Sequence, residues 1–329
     1  MLGWAAMAGG LGTAGFAAYV RTRARRHEAR AEAAFPPEGQ VVEVEGHEVH
    51  AVDLGPRDAP AVVLIHGSSG NTRDFTHGLA PALARDFRVL VFDRPGLGYS
   101  AEADPGGASI ARQAALLSKA ARQLGATRPI VLGQSYGGAV ALAWGVHHAD
   151  AAAALVLLAA PTQPWSSGLG WYYTLLSNPV LGPLAIPLLT AFVRDDRVAR
   201  ELAAIFAPQA PPPGYGAHIG AGLTLRRASL RANALQRANL LAEVRALQPL
   251  YPRIPLPVEA LHGTADTTVG FHIHAEPLAA QLPSVHLTPL PGIGHMPQHV
   301  AQPQVIAAVH RAARRAGLVP ALSPGAEIS

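Results

Sequence analysis

The chain has 329 residues, of which 49% are hydrophobic and 15% are charged, and it contains no cysteine. This composition supports a large buried core and differs from that of a disordered protein. The lack of cysteine excludes a disulfide scaffold, Cys-ligated zinc, an iron–sulfur centre and a cysteine nucleophile. Five arginines and two glutamates in residues 21–32 supply +3 of the net charge of +4, so the remainder offers no broad basic face for nucleic acid.

Residues 2–20 carry no charged side chain and are followed at once by those arginines. A helix of this length just crosses a hydrocarbon layer about 30 Å thick. Because the positive charge follows the apolar run, the segment favours an uncleaved single-pass anchor over a secretory signal. The positive-inside rule then places the rest of the chain on the cytoplasmic side. Five glycines weaken the segment, so a signal peptide and a surface-lying helix remain alternatives.

From residue 40 onward, short β-rich runs alternate with longer helical stretches, which predicts an α/β fold with a mostly parallel sheet flanked by helices. The predicted strands are Val41–Val44, Val49–Leu54, Val62–Leu64, Val89–Phe92, Ile130–Leu132, Leu155–Leu158, Val258–Leu261 and Val285–Leu287. The predicted helices lie near 74–85, 109–124, 137–148, 273–281 and 302–315.

The alternation stops between about residues 161 and 252, where leucine, alanine, proline and aromatic residues dominate without a strand pattern. This segment is predicted to be a helical cap, with helices near 185–205 and 223–248. The predicted organisation is therefore an anchor (1–20), a basic linker (21–39), a core (40–160 and 253–316), the cap (161–252) and a disordered tail (317–329).

The pattern Gly-x-Ser-x-Gly occurs at residues 133–137, between the apolar strand Ile130–Leu132 and a helical run. In that context the chain turns sharply and presents the Ser135 hydroxyl at the start of a helix, whose free amides favour developing negative charge. Glycine is needed at 133 and 137 because larger side chains would collide with neighbouring elements. Ser135 is the predicted nucleophile, with a glycine-rich turn bearing a surface serine as the alternative.

A serine hydroxyl needs a base to remove its proton, and that base is typically a histidine held by a carboxylate. His295 lies in the loop between the last predicted strand and the last helix, and Asp266 lies just past the strand Val258–Leu261. The chain order Ser135, Asp266, His295 is the one expected for this kind of sheet. We predict Asp266 as the acid and His295 as the base, although each taken alone also fits a solvated loop.

Two backbone amides are predicted to stabilise the oxyanion. Residues 66–70 (His-Gly-Ser-Ser-Gly) follow the strand Val62–Leu64, and a small residue after His-Gly lets an N–H face the site. The predicted donors are the amides of Ser68 and Tyr136, while His66 is expected to be structural.

The Gly-x-Gly at residues 96–98 is not interpreted as a dinucleotide site. Phosphate-binding loops follow the first strand and open a helix directly, whereas Pro95 and the two glycines make an irregular loop here. Asp93 and Arg94 are expected to form a structural ion pair. No sequence pattern indicates a metal site.

Residues 40–316 resemble an alpha/beta hydrolase with a helical cap. The resemblance rests on Leu64-Ile65-His66-Gly67, residues 93–98 (Asp-Arg-Pro-Gly-Leu-Gly), residues 133–138, Asp266 and Gly294-His295. It implies the same catalytic and oxyanion residues and no cofactor. Relatives with haloalkane dehalogenase or epoxide hydrolase activity use an aspartate nucleophile, so Ser135 counts against both activities.

The expected function is that of a serine hydrolase of the carboxylesterase or lipase type, acting on a small ester or related apolar substrate through an acyl-enzyme. Cofactor-free perhydrolases and carbon–carbon bond hydrolases use the same triad and remain alternatives, as does a non-catalytic binding module. The membrane is an expected partner through residues 2–20, and nucleic acid is not.

Overall fold

The computed structural model describes the backbone of residues 2–319 and the side chains of residues 14–319. Eight strands form one sheet in the order β1-β2-β4-β3-β5-β6-β7-β8. The strands are β1 (Gln40–Val44), β2 (His47–Leu54), β3 (Ala61–Ile65), β4 (Arg88–Phe92), β5 (Ile130–Gln134), β6 (Ala154–Leu158), β7 (Val258–Gly263) and β8 (Val285–Leu290). Every predicted strand is present, each one to three residues longer than the pattern indicated.

The sheet confirms the predicted α/β class. The β1–β2 and β2–β4 pairs are antiparallel, and all pairs from β4 through β8 are parallel. Every residue of β4, β5 and β6 is buried, because helices cover both faces. Alternate residues enter two separate cores: Val63 and Ile65 pack on one face, and Val62 and Leu64 on the other.

The helices that flank the sheet agree with the predicted positions, apart from one division and the short α13, which the pattern did not indicate. They are α2 (Arg73–Thr76), α3 (Leu79–Leu83), α4 (Ile110–Gln123), α5 (Tyr136–His147), α12 (Phe271–Gln281), α13 (Pro297–Val300) and α14 (Gln302–Arg315), with a 3₁₀ turn at Ala149–Ala151. The single helix predicted near 74–85 is split into α2 and α3 at Gly78.

Helices also fill the stretch between β6 and β7, which contains no strand. They are α6 (Trp171–Ser177), α7 (Gly182–Phe192), α8 (Asp195–Phe206), α9 (Tyr215–His218), α10 (Ala221–Thr224) and α11 (Arg227–Leu247), followed by a 3₁₀ helix (Gln248–Arg253). We call α6–α11 the cap helices. The helix predicted at 185–205 is two helices, since α8 starts afresh with Asp195 and Asp196 in its first turn, where carboxylates favour a helix N-terminus.

The N-terminal segment differs most from expectation. The basic linker predicted over 21–39 is helical as far as residue 34, because it belongs to one helix, α1 (Leu2–Ala34). Val20, Ala24 and Ala31 bury one face of α1, and Ala24 packs against Ala191 of α7.

Ion pairs add to this contact between α1 and the cap. Glu28 binds Arg227 at 2.8 Å, and Glu32 binds Arg226 at 2.9 Å. Residues 21–34 thus form a packed helix and not a spacer.

Within residues 2–319, no single helix is both long and apolar enough to cross a membrane. The single-pass anchor predicted over residues 2–20 is therefore not supported. At the other end, Leu318 and Val319 pack against the core, so the predicted disordered tail does not begin at 317. Residues 320–329 lie outside the described part of the chain.

His274 fastens α12 to the chain that leaves β6. Its Nδ1 accepts the N–H groups of Thr162 and Gln163, both at 3.2 Å, and its carbonyl accepts the Thr162 hydroxyl at 2.6 Å. Burial lowers the pKa of His274 to about 4, so the neutral ring is the form that the fold holds.

The buried His274 predicts a pH-dependent stability. Because its pKa falls from 6.5 to about 4 on folding, its contribution is complete above pH 6.5 and is lost as the pH falls toward 4. We expect the difference in free energy of unfolding between wild type and His274→Gln to shrink over this range by about 3 kcal/mol. Denaturant titrations at several pH values measure it. A difference that stays constant between these limits would contradict the assignment.

Candidate active site

Ser135 occupies a sharp turn between β5 and α5. Its backbone has φ +50° and ψ −120°, a conformation that a residue with a side chain rarely adopts. Its N–H donates to the Leu158 carbonyl at 2.8 Å, and its own carbonyl accepts the Gly138 N–H at 2.8 Å. These bonds hold the strained residue at the carboxyl edge of the sheet, where only 5% of it is exposed.

Three glycines make this turn possible. A Cβ on Gly133 would lie 2.1 Å from the Gly137 carbonyl oxygen, and one on Gly137 would lie 2.1 Å from the Ile65 carbonyl oxygen. A Cβ on Gly138 would lie 2.4 Å from Ala160 Cβ. The backbone of β3 and the start of α5 therefore approach more closely than any side chain allows, as the sequence analysis predicted for residues 133 and 137.

The structure brings Asp266 and His295 into direct contact. His295 Nδ1 lies 2.7 Å from Asp266 Oδ2, and both residues are buried. The other carboxylate oxygen, Oδ1, accepts the N–H groups of Thr268 and Val269 at 2.8 and 2.9 Å. His262 also faces Oδ2, at 3.4 Å. The carboxylate is thus held on both oxygens and aligned with one ring nitrogen of His295.

The hydrogen bonds keep Asp266 ionised. Burial by itself would raise the pKa of the Asp266 carboxyl, but the hydrogen bonds from His262, His295 and the Val269 amide outweigh burial and hold the pKa well below its usual range. A carboxylate accepts the Nδ1 proton of His295, which leaves Nε2 without a proton when the ring is neutral.

Gln134, which directly precedes Ser135, binds the loop that carries His295. The Gln134 side-chain amide donates to the His295 carbonyl at 3.1 Å. A Cβ on Gly67 would lie only 2.3 Å from the Gln134 side-chain oxygen, so residue 67 has no room for a side chain. No hydrogen bond joins the Ser135 hydroxyl to the His295 ring, although both residues are within the described chain. Such bonds commonly tighten only when substrate binds.

The loop that carries Ser68 lies against the same turn. A Cβ on Gly67 would be 3.2 Å from Ser135 Cβ, so residues 67 and 135 are neighbours. Tyr136 is the first residue of α5, and its N–H therefore has no acceptor inside the helix. The Ser68 hydroxyl is buried without a hydrogen-bond partner among the described residues. Ser135 thus lies between Tyr136, which follows it in the chain, and Gly67, the residue before Ser68.

Arg94 is hydrogen-bonded to the residues that precede Ser68, and it does not form the ion pair that the sequence predicted. The expected Asp93–Arg94 ion pair does not form, because Asp93 binds His50 Nδ1 at 2.6 Å. The Arg94 guanidinium instead donates to the carbonyls of His66 and Gly67, both at 3.0 Å, and lies 4.2 Å from the centre of the Tyr136 ring. It therefore contacts the residues on either side of the site.

The same network fixes the protonation of the buried His66. Its Nε2 accepts the Arg94 N–H at 3.0 Å, while its Nδ1 lies 2.9 Å from the Gly67 carbonyl. Burial and the Arg94 charge lower the pKa of His66 to about 4, so the ring is neutral and structural, as expected. Burial also lowers the pKa of Arg94 to about 10, which leaves it charged at neutral pH.

Helix α11 of the cap completes the support. Asn233 accepts the Ser69 N–H and donates to the Ser69 hydroxyl, each at 2.9 Å. Gln236 accepts from Arg94 at 2.6 Å and donates to the Pro95 carbonyl at 2.8 Å. The cap is therefore bonded directly to the loop that carries one predicted oxyanion amide.

The sequence did not indicate that four side chains support the site through hydrogen bonds: Arg94, Gln134, Asn233 and Gln236. A usable signal did exist on α11, where Ser229, Asn233 and Gln236 recur at helical spacing and are all buried. Polar residues at the period of a packed face indicate hydrogen bonds to buried groups. Which groups they bind depends on the tertiary structure and could not be read from the pattern.

The profile of the alpha/beta hydrolase fold family matches residues 60–302, so the chain belongs to this family. The chain is 26% identical over 251 residues to the magnesium-chelatase 30 kDa subunit of Rhodobacter capsulatus, covering 76% of this chain and 85% of that protein. It is 25% identical over 291 residues to haloalkane dehalogenase 2 of Mycobacterium tuberculosis, covering 84% and 94%. A thermophilic esterase structure from Thermogutta terrifontis aligns with a TM-score of 0.66 at 22% identity, covering 84% and 99%.

The close backbone contact at Gly137 predicts a large effect from a single methyl group. Gly137→Ala places a Cβ 2.1 Å from the Ile65 carbonyl oxygen, and we expect it to lower the free energy of unfolding by roughly 3 kcal/mol or more. The matched control is Gly168→Ala, which meets no atom within 4 Å and should change stability by less than about 0.5 kcal/mol. Denaturant unfolding compares the two. Equal stabilities would refute the tight-turn explanation.

Proposed function

We propose that the protein is a serine hydrolase that cleaves carboxylic esters through an acyl-enzyme. Ser135 is the nucleophile, His295 the general base and Asp266 the residue that orients His295. The observation that carries the proposal is the strained turn that presents Ser135 between β5 and the N-terminus of α5. A backbone at φ +50° costs free energy, and such strain concentrates at functional sites.

The hydrogen bond between His295 and Asp266 supports the assignment of roles. Since Nδ1 donates to the ionised carboxylate at 2.7 Å, the unprotonated Nε2 is available to take the Ser135 proton. As the hydroxyl attacks the ester carbonyl, the proton moves to Nε2 and then to the leaving alcohol. A water molecule repeats the sequence on the acyl-enzyme and releases the acid.

The amides of Ser68 and Tyr136 stabilise the tetrahedral intermediate in this proposal. Removing one such donor typically reduces turnover by about 10²–10³. Arg94 acts as a positioning residue, because it bonds the carbonyls of His66 and Gly67 just before Ser68. A serine nucleophile also separates this chain from the dehalogenases and epoxide hydrolases of the family, which use aspartate.

Replacing the nucleophile tests the proposal. Ser135→Ala should abolish hydrolysis of an aryl ester while leaving the thermal unfolding midpoint close to that of wild type, because the hydroxyl makes no structural hydrogen bond to His295. Ser118→Ala is the matched control, since Ser118 is a buried serine of α4 whose hydroxyl binds the Ala115 carbonyl. Rates of aryl-ester hydrolysis measured for both variants test this prediction. Ester turnover that survives in Ser135→Ala would rule out this serine as the nucleophile.

Asp266→Asn tests the acid separately. The asparagine oxygen can still accept the amides of Thr268 and Val269, but its NH₂ group then faces His295 Nδ1 and forces the other tautomer. We expect kcat to fall by about 10³–10⁴, with little change in KM. A variant that keeps more than a tenth of wild-type kcat would show that Asp266 does not orient the base.

A further inference from the structure

A row of exposed apolar side chains runs along α7 and continues onto α1. On α7 and its N-cap, Leu181, Leu184, Leu188 and Phe192 recur every three or four residues, and Leu184 is 66% exposed. On α1, Phe16 and Tyr19 lie one turn apart, and the Tyr19 ring centre is 6.3 Å from that of Phe192. We call these six residues the apolar row.

The apolar row belongs to the surface of the protein and not to its core. The opposite side of α7 is buried, with Ile186 and Thr190 packed inside the protein. No charged residue occurs from Pro161 to Val193, so no charged side chain interrupts the exposed row on α7. A continuous row of this kind on a surface marks a place where apolar material binds.

Arginines continue the face of α1 that carries Phe16 and Tyr19. Arg23 lies 4.9 Å from the centre of the Phe192 ring, and Arg26 and Arg30 follow it at helical spacing. Arg21, Arg25, Arg26 and Arg30 of α1 are exposed. The two carboxylates of this segment are taken up by the cap, because Glu28 and Glu32 bind Arg227 and Arg226. The neighbouring arginines are therefore not neutralised within α1.

We propose that the apolar row is a docking surface for a bilayer that contains anionic lipids. Leucine and aromatic side chains enter the acyl boundary in such contacts, while flanking arginines bind phosphate head groups. Together α6 and α7 match a membrane segment in length and hydropathy, but they bend by 116° between them, which suits a helix pair lying in the interface. This contact differs from a single-pass anchor and holds whether or not Ser135 hydrolyses esters.

The cysteine-free sequence allows a direct test on the full chain. L188C provides one labelling site for a polarity-sensitive fluorophore within the row. I273C is the matched control, since Ile273 is a half-exposed aliphatic residue of α12 outside the row. Each labelled protein is mixed with vesicles of phosphatidylcholine and phosphatidylglycerol in equal parts. Thermal unfolding verifies that both variants are folded.

We expect the label at 188 to shift to the blue and to be quenched by lipids brominated in their acyl chains, while the label at 273 stays unchanged. Vesicles that bind the protein without a change at 188 would overturn the proposal, as would an absence of binding or an equal change at both sites. A blue shift at 188 that depends on protein concentration without vesicles would assign the row to a second copy of the chain and would also overturn it.

The arginines give an independent measurement. R26Q/R30Q should bind the mixed vesicles at least about tenfold more weakly than wild type, because each basic residue near an anionic surface contributes measurably to binding. Ester turnover serves as a separate readout of the site and should not change. An unaltered vesicle affinity would contradict the role of these charges.

Discussion

The close approach of backbone to backbone at the end of β5 is the constraint on which the site depends. Ser135 reaches φ +50° only because Gly133 and Gly137 let the strand, the turn and α5 pass within contact distance of β3. The fully buried central strands supply the rigidity that holds this conformation in place. A looser sheet would let the turn relax, and the hydroxyl would lose its position at the start of α5.

The loops around this turn are held by polar groups that are themselves buried. Gln134 binds the loop of His295, Arg94 binds the loop of Ser68, and Asn233 of α11 binds Ser69. Each contact joins parts of the chain that are distant in sequence. The geometry of the site is therefore a property of the folded core and the cap together. Removing one of these side chains would leave the buried group that it binds without a hydrogen bond, which typically lowers the free energy of unfolding by about 1–3 kcal/mol.

The sequence predicted the sheet well because buried parallel strands are continuous apolar runs, as in Ile130–Leu132 and Leu155–Leu158. The residues of the candidate site could be chosen from their positions at strand ends. The contacts that support these residues could not be predicted. In the sequence Arg94 looks like a partner for the adjacent Asp93, whereas in the fold its guanidinium binds His66 and Gly67. The linker predicted over 21–39 was wrong for a similar reason: small residues such as Ala24 pack against α7, and hydropathy alone does not reveal that partner.

The central claim is that Ser135 is an activated nucleophile. The most direct measurement is to treat the folded chain with a fluorophosphonate and to locate the adduct by mass spectrometry of its peptides. A single phosphonyl group on Ser135, formed rapidly and blocked by prior denaturation, is the predicted result. A folded protein that remains unlabelled, or that carries the adduct on a different serine, would contradict the account.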